Sequence, residues 1–337
     1  MLYITTRDKA TLYTAFNAMT KESSDNGGRF VPFRLPTYSS EEILQLKNQS
    51  YGQILADILK MFFSSRLEGW DVDFCIGRNV IRTVAMNHRI VVAELWHNLD
   101  GSFSSLEQTL YKKITEGISD NAIQNWARIV IRIGTLFGIY SDLLKGDQLK
   151  PGQTFDVSLP NDAFLTPIAA WYSRAMGLPI KKIICSCDDG GNMWDFINRG
   201  VLNTLSLSDE QQLGLERLIH ATVGCDEAKR FFDACLQKKA YAVAECDLHL
   251  LNDGLFCSVA GKDRAKNTIN SVFRSNSYII DSKTALCYSG LQDYRAKTGE
   301  SELTVILAEN TPMRNTSTIC DATGIAEDKL YNYINQS

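Results

Sequence analysis

Ala169-Ala170-Trp171-Tyr172-Ser173-Arg174-Ala175-Met176-Gly177-Leu178-Pro179-Ile180-Lys181-Lys182 changes its periodicity part-way along, and that change decides the fold. A helix running through Trp171 stops at Gly177, because glycine adopts the left-handed conformation that ends helices without a Cβ clash. Pro179 cannot continue a helix, and Ile180 to Cys185 is a compact apolar run of strand length. Upstream, Phe155-Asp156-Val157-Ser158-Leu159 reads as another short strand, and downstream Met193 to Arg199 reads as a helix closed by Gly200. Such alternation indicates βαβ units, with helices on both faces of a parallel sheet. The expected fold class is α/β: a three-layer αβα core with a mostly parallel sheet, preceded by a mainly helical N-terminal segment.

Working outward, the N-terminal part has a strand-like start, a Gly27-Gly28 turn and the Pro-punctuated run Phe30-Val31-Pro32-Phe33-Arg34-Leu35-Pro36. Ser39 and Glu42 have capping-box spacing, and Ile54, Leu55, Ile58, Leu59 and Phe62 recur at helical spacing. Val91, Val92 and Leu95 predict a short strand. Asp120 is the expected N-cap of the longest helix, whose apolar face is Ile123, Trp126, Ala127, Val130 and Phe137 and which stops near Lys145-Gly146. Later, Ser208 starts a helix towards Gly224, Asp281 caps one ending near Gly299, Leu303 to Leu307 is a strand, and Glu327 to Ile334 is a terminal helix. No internal repeat or low-complexity linker divides the chain.

At 337 residues, with 45% hydrophobic and 22% charged residues, the chain is long enough for two domains or one large α/β domain with an appendage. A formal charge of -4 and a pI near 5.7 leave no basic footprint for nucleic acid or an anionic membrane. The absence of a long apolar run and of a signal-type start makes a cytoplasmic location the expectation. Nine cysteines, an odd count, read as free thiols. Cys185-Ser186-Cys187 lacks the usual zinc spacing, and Cys246 and His249 do not complete a set, so no metal is expected.

The Ala169–Lys182 block closely resembles A-G-Y-Y-A-K-K-M-G-L-P-I-K-K of the threonine synthases, the PLP-dependent fold-type-II enzymes related to tryptophan synthase beta. Other blocks follow in order. Tyr3-Ile4-Thr5-Thr6-Arg7 with Asn26-Gly27-Gly28-Arg29-Phe30-Val31-Pro32 resembles the family's opening, and Asn125-Trp126-Ala127-Arg128-Ile129 resembles the end of N-S-I-N-W-A-R-I. Asp281-Ser282-Lys283-Thr284-Ala285-Leu286 is similar to D-P-H-T-A-V, and Val305-Ile306-Leu307-Ala308-Glu309-Asn310-Thr311-Pro312 to V-V-L-A-T-A-H-P. The resemblance implies a threonine synthase-like N-terminal segment over 1–95 and a relic of the lysine motif and truncated small domain over 96–120. The αβα large domain then spans 121–337.

Departures from the family fall on the cofactor's anchors. Glu94-Leu95-Trp96-His97-Asn98-Leu99-Asp100-Gly101-Ser102-Phe103-Ser104-Ser105 resembles E-L-F-H-G-P-T-x-A-F-K-D, whose lysine holds pyridoxal phosphate (PLP) as a Schiff base. Ser104 stands in the lysine's place, and a hydroxyl cannot form that imine. The phosphate loop P-T-G-N-F-G-D aligns with Pro160, Asn161, Asp162, Ala163, Phe164, Leu165 and Thr166, so Asp162 and Leu165 fill both glycine positions. Glu309 takes the place of the threonine facing the pyridine nitrogen. Between the lysine motif and N-W-A-R-I only Leu106 to Gln124 intervene, so roughly a hundred residues, about one small cofactor-covering domain, are missing by comparison with the family.

The resemblance implies a threonine synthase-like pseudoenzyme that does not bind PLP and has a ligand-binding, regulatory or assembly role. No catalytic residue is expected. The alternative is a PLP-dependent lyase, making threonine and phosphate from O-phosphohomoserine with rearranged anchors. Asn125, Arg128 and Lys283 sit where the family handles substrate phosphate and are candidates for a small anionic amino-acid ligand. The competing reading for Arg128 is a helix arginine paired with a carboxylate. His97 reads as a structural histidine, and Ser104-Ser105 lacks the elbow of a serine nucleophile. Loss of the small domain should bare apolar surface. Either residues 101–117 fold over it, or a second chain does, giving a homodimer or a complex with an active threonine synthase.

Overall fold

The computed structural model describes residues 1–77, 81–98, 100–116, 124–160, 164–187 and 192–336. Its centre is a six-stranded sheet in the order Leu255–Val259, Ile180–Cys187, Phe155–Pro160, Thr304–Ala308, Ile90–Glu94, Arg82–Asn87. The first five are parallel, and Arg82–Asn87 runs antiparallel to Ile90–Glu94. Side chains alternate between the faces with the strand period of two. Val91, Ala93, Val305 and Leu307 enter one hydrophobic cluster, while Val92, Ile306 and Ala308 enter the other.

The first face is covered by Tyr51–Phe63, Asn125–Lys145 and Leu165–Ala175, the second by Lys262–Asn276, Ser282–Thr298 and Thr316–Thr323. This is the three-layer αβα arrangement. Tyr51–Phe63 forms because Ser50 and Gln53 close a capping box and the apolar residues fall on one stripe; Ile54, Leu55, Ile58, Leu59 and Phe62 are all buried. Asn125–Lys145 is buried along almost its whole length, and Gly134 is what lets it approach Tyr51–Phe63. A Cβ there would stand 2.4 Å from Leu55 Cδ1.

The N-terminal region holds more strand than the sequence reading gave it. Its strand-like start, Leu2–Thr5, lies in a three-stranded antiparallel sheet between Asp8–Thr14 and Phe30–Pro32, and Arg82–Asn87 joins the expected Ile90–Glu94 in the central sheet. Asp8–Thr14 escapes prediction because it lies on the edge, mostly exposed, without the hydrophobic alternation of a half-buried strand. Asp120 and Ile123 lie outside the described residues. The helix begins at Asn125, whose N–H donates to Glu22 Oε2 at 2.9 Å, so a distant carboxylate supplies the N-terminal acceptor.

Helix Phe103–Ile114 begins at the end of the motif of residues 94–105. It buries Phe103, Leu106, Glu107, Leu110 and Tyr111, with the Tyr111 hydroxyl donating to Met19 O at 3.1 Å. The segment 101–116 thus covers apolar surface from within the chain.

Candidate functional site

All five parallel strands end on the same edge of the sheet, the side on which ligands bind in open α/β folds. Glu309 follows Thr304–Ala308 there, Leu95 follows Ile90–Glu94, and Phe164 leads into Leu165–Ala175. Above them the lysine-less motif closes back on the next strand's exit. Phe103 N donates to Glu309 O at 2.8 Å, Thr311 N donates to Gly101 O at 2.9 Å, and Ser102 and Asn310 form an antiparallel bridge. Gly101 is required by this closure: its φ is +62°, and a Cβ would stand 2.5 Å from Thr311 Cγ2.

Beneath the closure lies Arg132, projecting from the middle of Asn125–Lys145. Its Nη1 donates to Glu309 Oε1 and to the Thr166 hydroxyl, and its Nε stands 2.8 Å from Glu107 Oε1. The guanidinium carbon sits 5.2 Å from the centre of the Phe103 ring. Arg128, one turn earlier, places Nε 3.3 Å from Glu107 Oε2. Side-chain exposure is 4% for Arg132, 1% for Glu107 and 11% for Glu309. Two cations thus meet two carboxylates, which is how charges survive removal from water.

Glu309 has a second favourable contact. The Thr166 hydroxyl donates to its Oε1 at 3.1 Å, in the first turn of Leu165–Ala175, where the helix dipole favours an anion. The chain's own carboxylate therefore sits at the first turn of this helix. Phe164 enters this helix at φ +68° with its ring buried, a left-handed conformation that costs a non-glycine residue on the order of 1 kcal/mol or more.

The space left among Leu95, Phe103, Arg132, Thr166, Leu307 and Glu309 is about 10 Å³. That holds one water, whereas ligand pockets span about 300–1,000 Å³.

The sequence candidates are distributed as follows. Ser104 is exposed on the first turn of Phe103–Ile114, with its hydroxyl 3.1 Å from that of Ser102, and does not line the cavity. Phe164 is buried and Leu165 opens its helix, while Asn161, Asp162 and Ala163 lie outside the described residues. Glu309 lines the cavity as the partner of Arg132. Asn125 is committed through its backbone to Glu22, Arg128 is engaged by Glu107, and Lys283 is exposed at the start of Ser282–Thr298; none of the three lines the cavity. His97 is satisfied: Nε2 stands 2.6 Å from Glu94 Oε2, and its ring stacks on Trp96 at 4.1 Å. Tyr278 also donates to buried Glu94, and burial together with that carboxylate pushes the Tyr278 hydroxyl well above its ordinary pKa.

Arg132 and Glu107 escaped the sequence reading, and Thr166 entered it only as the end of the aligned loop. The signal was present in Ile129-Val130-Ile131-Arg132-Ile133, an arginine inside an apolar helix, which demands a buried carboxylate elsewhere. Among the described residues no group of three or more His, Cys, Asp or Glu side chains is placed to hold a metal ion. No described helix is long and apolar enough to cross a membrane.

Residues 2–79 match the family described as Threonine synthase N terminus. Among curated proteins, the chain is 24% identical over 241 residues to human threonine synthase-like 1, covering 66% of this chain and 30% of that protein. It is 26% identical over 180 residues to the orangutan (Pongo abelii) protein of the same name, covering 50% and 24%. The matched part is thus under a third of those relatives' length. Among solved structures, the PLP-bound threonine synthase of Brucella melitensis superposes with a TM-score of 0.80 at 16% identity, covering 99% of this chain and 94% of that one. Yeast threonine synthase gives 0.80 at 14% identity, covering 98% and 92%. Likeness at that identity carries the fold.

Proposed function

For a chain whose residues 2–79 form a threonine synthase N-terminal region and whose fold is that of threonine synthases, we propose a role without PLP chemistry: a threonine synthase-like pseudoenzyme with a binding, regulatory or assembly function. One observation carries this reading. The Arg132 guanidinium, held by Glu309, Thr166 and Glu107, takes up the ground beside the aligned nitrogen-facing position and leaves about 10 Å³. The described residues speak against the cofactor. A pyridine ring with its phosphate would have to displace a buried ion cluster and unzip residues 101–103 from 309–311, and Ser104 offers no amine for the imine.

The test is phosphate release from O-phosphohomoserine by the purified chain with PLP added. The proposal expects release no faster than in a protein-free blank. Release that depends on added PLP would establish the lyase instead.

A further inference from the structure

We propose that the outer edge of the central sheet at Leu255–Val259 is a docking groove for an extended peptide that alternates apolar and acidic side chains. The groove lies on the opposite sheet edge from Arg82–Asn87, and the proposal does not depend on whether PLP binds.

The strand is the terminal one of the sheet, paired among the described residues only with Ile180–Cys187 and with unbroken parallel register from Leu255↔Ile183 to Val259↔Cys187. Ile183 N donates to Gly254 O at 2.7 Å and Ala260 N donates to Cys187 O at 2.9 Å. Backbone groups alternate sides along a strand, so Gly254, Phe256, Ser258 and Ala260 face the neighbour. Leu255, Cys257 and Val259 therefore turn their N–H and C=O groups outward. Buried backbone groups in proteins are paired as a rule, and an open edge is a template for another strand.

A cleft of about 570 Å³ runs along this edge and is walled on both sides. Trp194, from helix Asn192–Arg199, forms one wall; Asp293 and Lys297, from Ser282–Thr298, belong to the other; Phe256, Cys257 and Val259 lie between them. Such a trough matches strand addition, in which main-chain bonds hold the peptide and the walls read alternate side chains. The walls differ in charge. Asp293 is neutralised by Arg264, with Nη1 2.7 Å from Oδ2, and accepts a hydrogen bond from the Ser258 hydroxyl. Lys297 keeps its ammonium 5.7 Å over the Phe256 ring, exposed and with no carboxylate partner among the described residues. An added strand would therefore present acidic side chains on the Lys297 side and apolar ones, from the intervening residues, on the Trp194 side.

The probe is a fluorescein-labelled, capped Val-Glu-Val-Glu-Val peptide, followed by fluorescence polarisation, with Val-Lys-Val-Lys-Val as its control. The acidic peptide should bind the wild-type chain about fivefold or more tightly than the basic one, the scale of one exposed ion pair. Val259→Pro removes an outward N–H while leaving the ladder to Ile180–Cys187 intact, and should abolish binding. Lys297→Glu, an exposed change without folding risk, should invert the ranking, and N-methylation of the peptide's central amide should abolish binding to the unmodified protein. Failure of both peptides to bind overturns the proposal, as does binding that survives N-methylation and Val259→Pro. A wild-type dimer in sedimentation that Val259→Pro converts to monomer would assign the edge to a second copy of the chain and equally overturn it.

Discussion

Arg132 and Glu309, 177 positions apart in the chain, meet as a buried ion pair at the carboxyl edge of the sheet. Glu107 holds the other side of the same guanidinium, and Phe103 covers it. A helix arginine, a strand-exit glutamate and helix Phe103–Ile114 therefore share one electrostatic account. Removing Arg132 leaves Glu309 buried without its cation.

Arg132→Leu should destabilise the fold by about 3–5 kcal/mol, because buried Glu309 loses its cation and Glu107 keeps only Arg128. Chemical denaturation measures this. Adding Glu107→Gln and Glu309→Gln to Arg132→Leu should recover much of the loss, since the buried charges go with it. A single variant as stable as wild type would mean that the ion cluster contributes nothing.

Asp156 gives the fold a pH dependence. It is 1% exposed, and its Oδ1 has no hydrogen-bond partner among the described residues. Burial, with Glu302 and Glu300 adding to it against the pull of Lys181, raises its pKa from 3.8 to about 6. A raised carboxyl favours the protonated folded state. Its contribution is complete below the ordinary carboxylate value and is lost as pH climbs through about 6, a swing of about 3 kcal/mol. Asp156→Asn should therefore gain on wild type between pH 4 and pH 8 in denaturation curves, and a difference independent of pH would contradict the assignment.

Gly101→Ala should cost about 1–3 kcal/mol, the scale for a side chain forced to positive φ and into contact with Thr311. Amide hydrogen exchange at Phe103 and Thr311, which donate across the closure, should accelerate in this variant. Unchanged protection there would show that the closure does not need glycine.

Glu216 ties the N-terminal sheet to helix Asp209–Thr222. Its carboxylate accepts from Arg7 Nε at 2.8 Å and Nη2 at 2.7 Å, and from the Thr6 hydroxyl, with Arg29 at 3.9 Å. Glu216→Ala should cost about 3–5 kcal/mol, because it leaves two arginines facing each other without their anion. Glu216→Gln should cost less, since it retains an acceptor. Equal losses would point to packing rather than charge.

The sequence made the sheet legible where periodicity is strong. Ile180–Cys187 lies where Ile180 to Cys185 was expected, and Ser208, Ser39 and Asp281 cap the helices assigned to them. Edge geometry was not legible: Asp8–Thr14 carries no alternation because neither of its faces is consistently buried. At the candidate site, motif alignment pointed to 94–105, 160–166 and 309 and to Arg128 as a cation, whereas the side chain that lines the small cavity beside Glu309 is Arg132, one turn further along the same helix. Long-range pairing of charges is a property of the folded chain, and only the apolar setting of Arg132 hinted at it.

The most direct test of the account is to mix the purified chain with excess PLP, record the absorbance of an internal aldimine, reduce with borohydride and map any pyridoxyl adduct. The account predicts no aldimine band and no stoichiometric adduct on any one lysine, because Ser104 offers no amine and Arg132 with Glu309 fills the ground. A band accompanied by a stoichiometric adduct on a single lysine would contradict it.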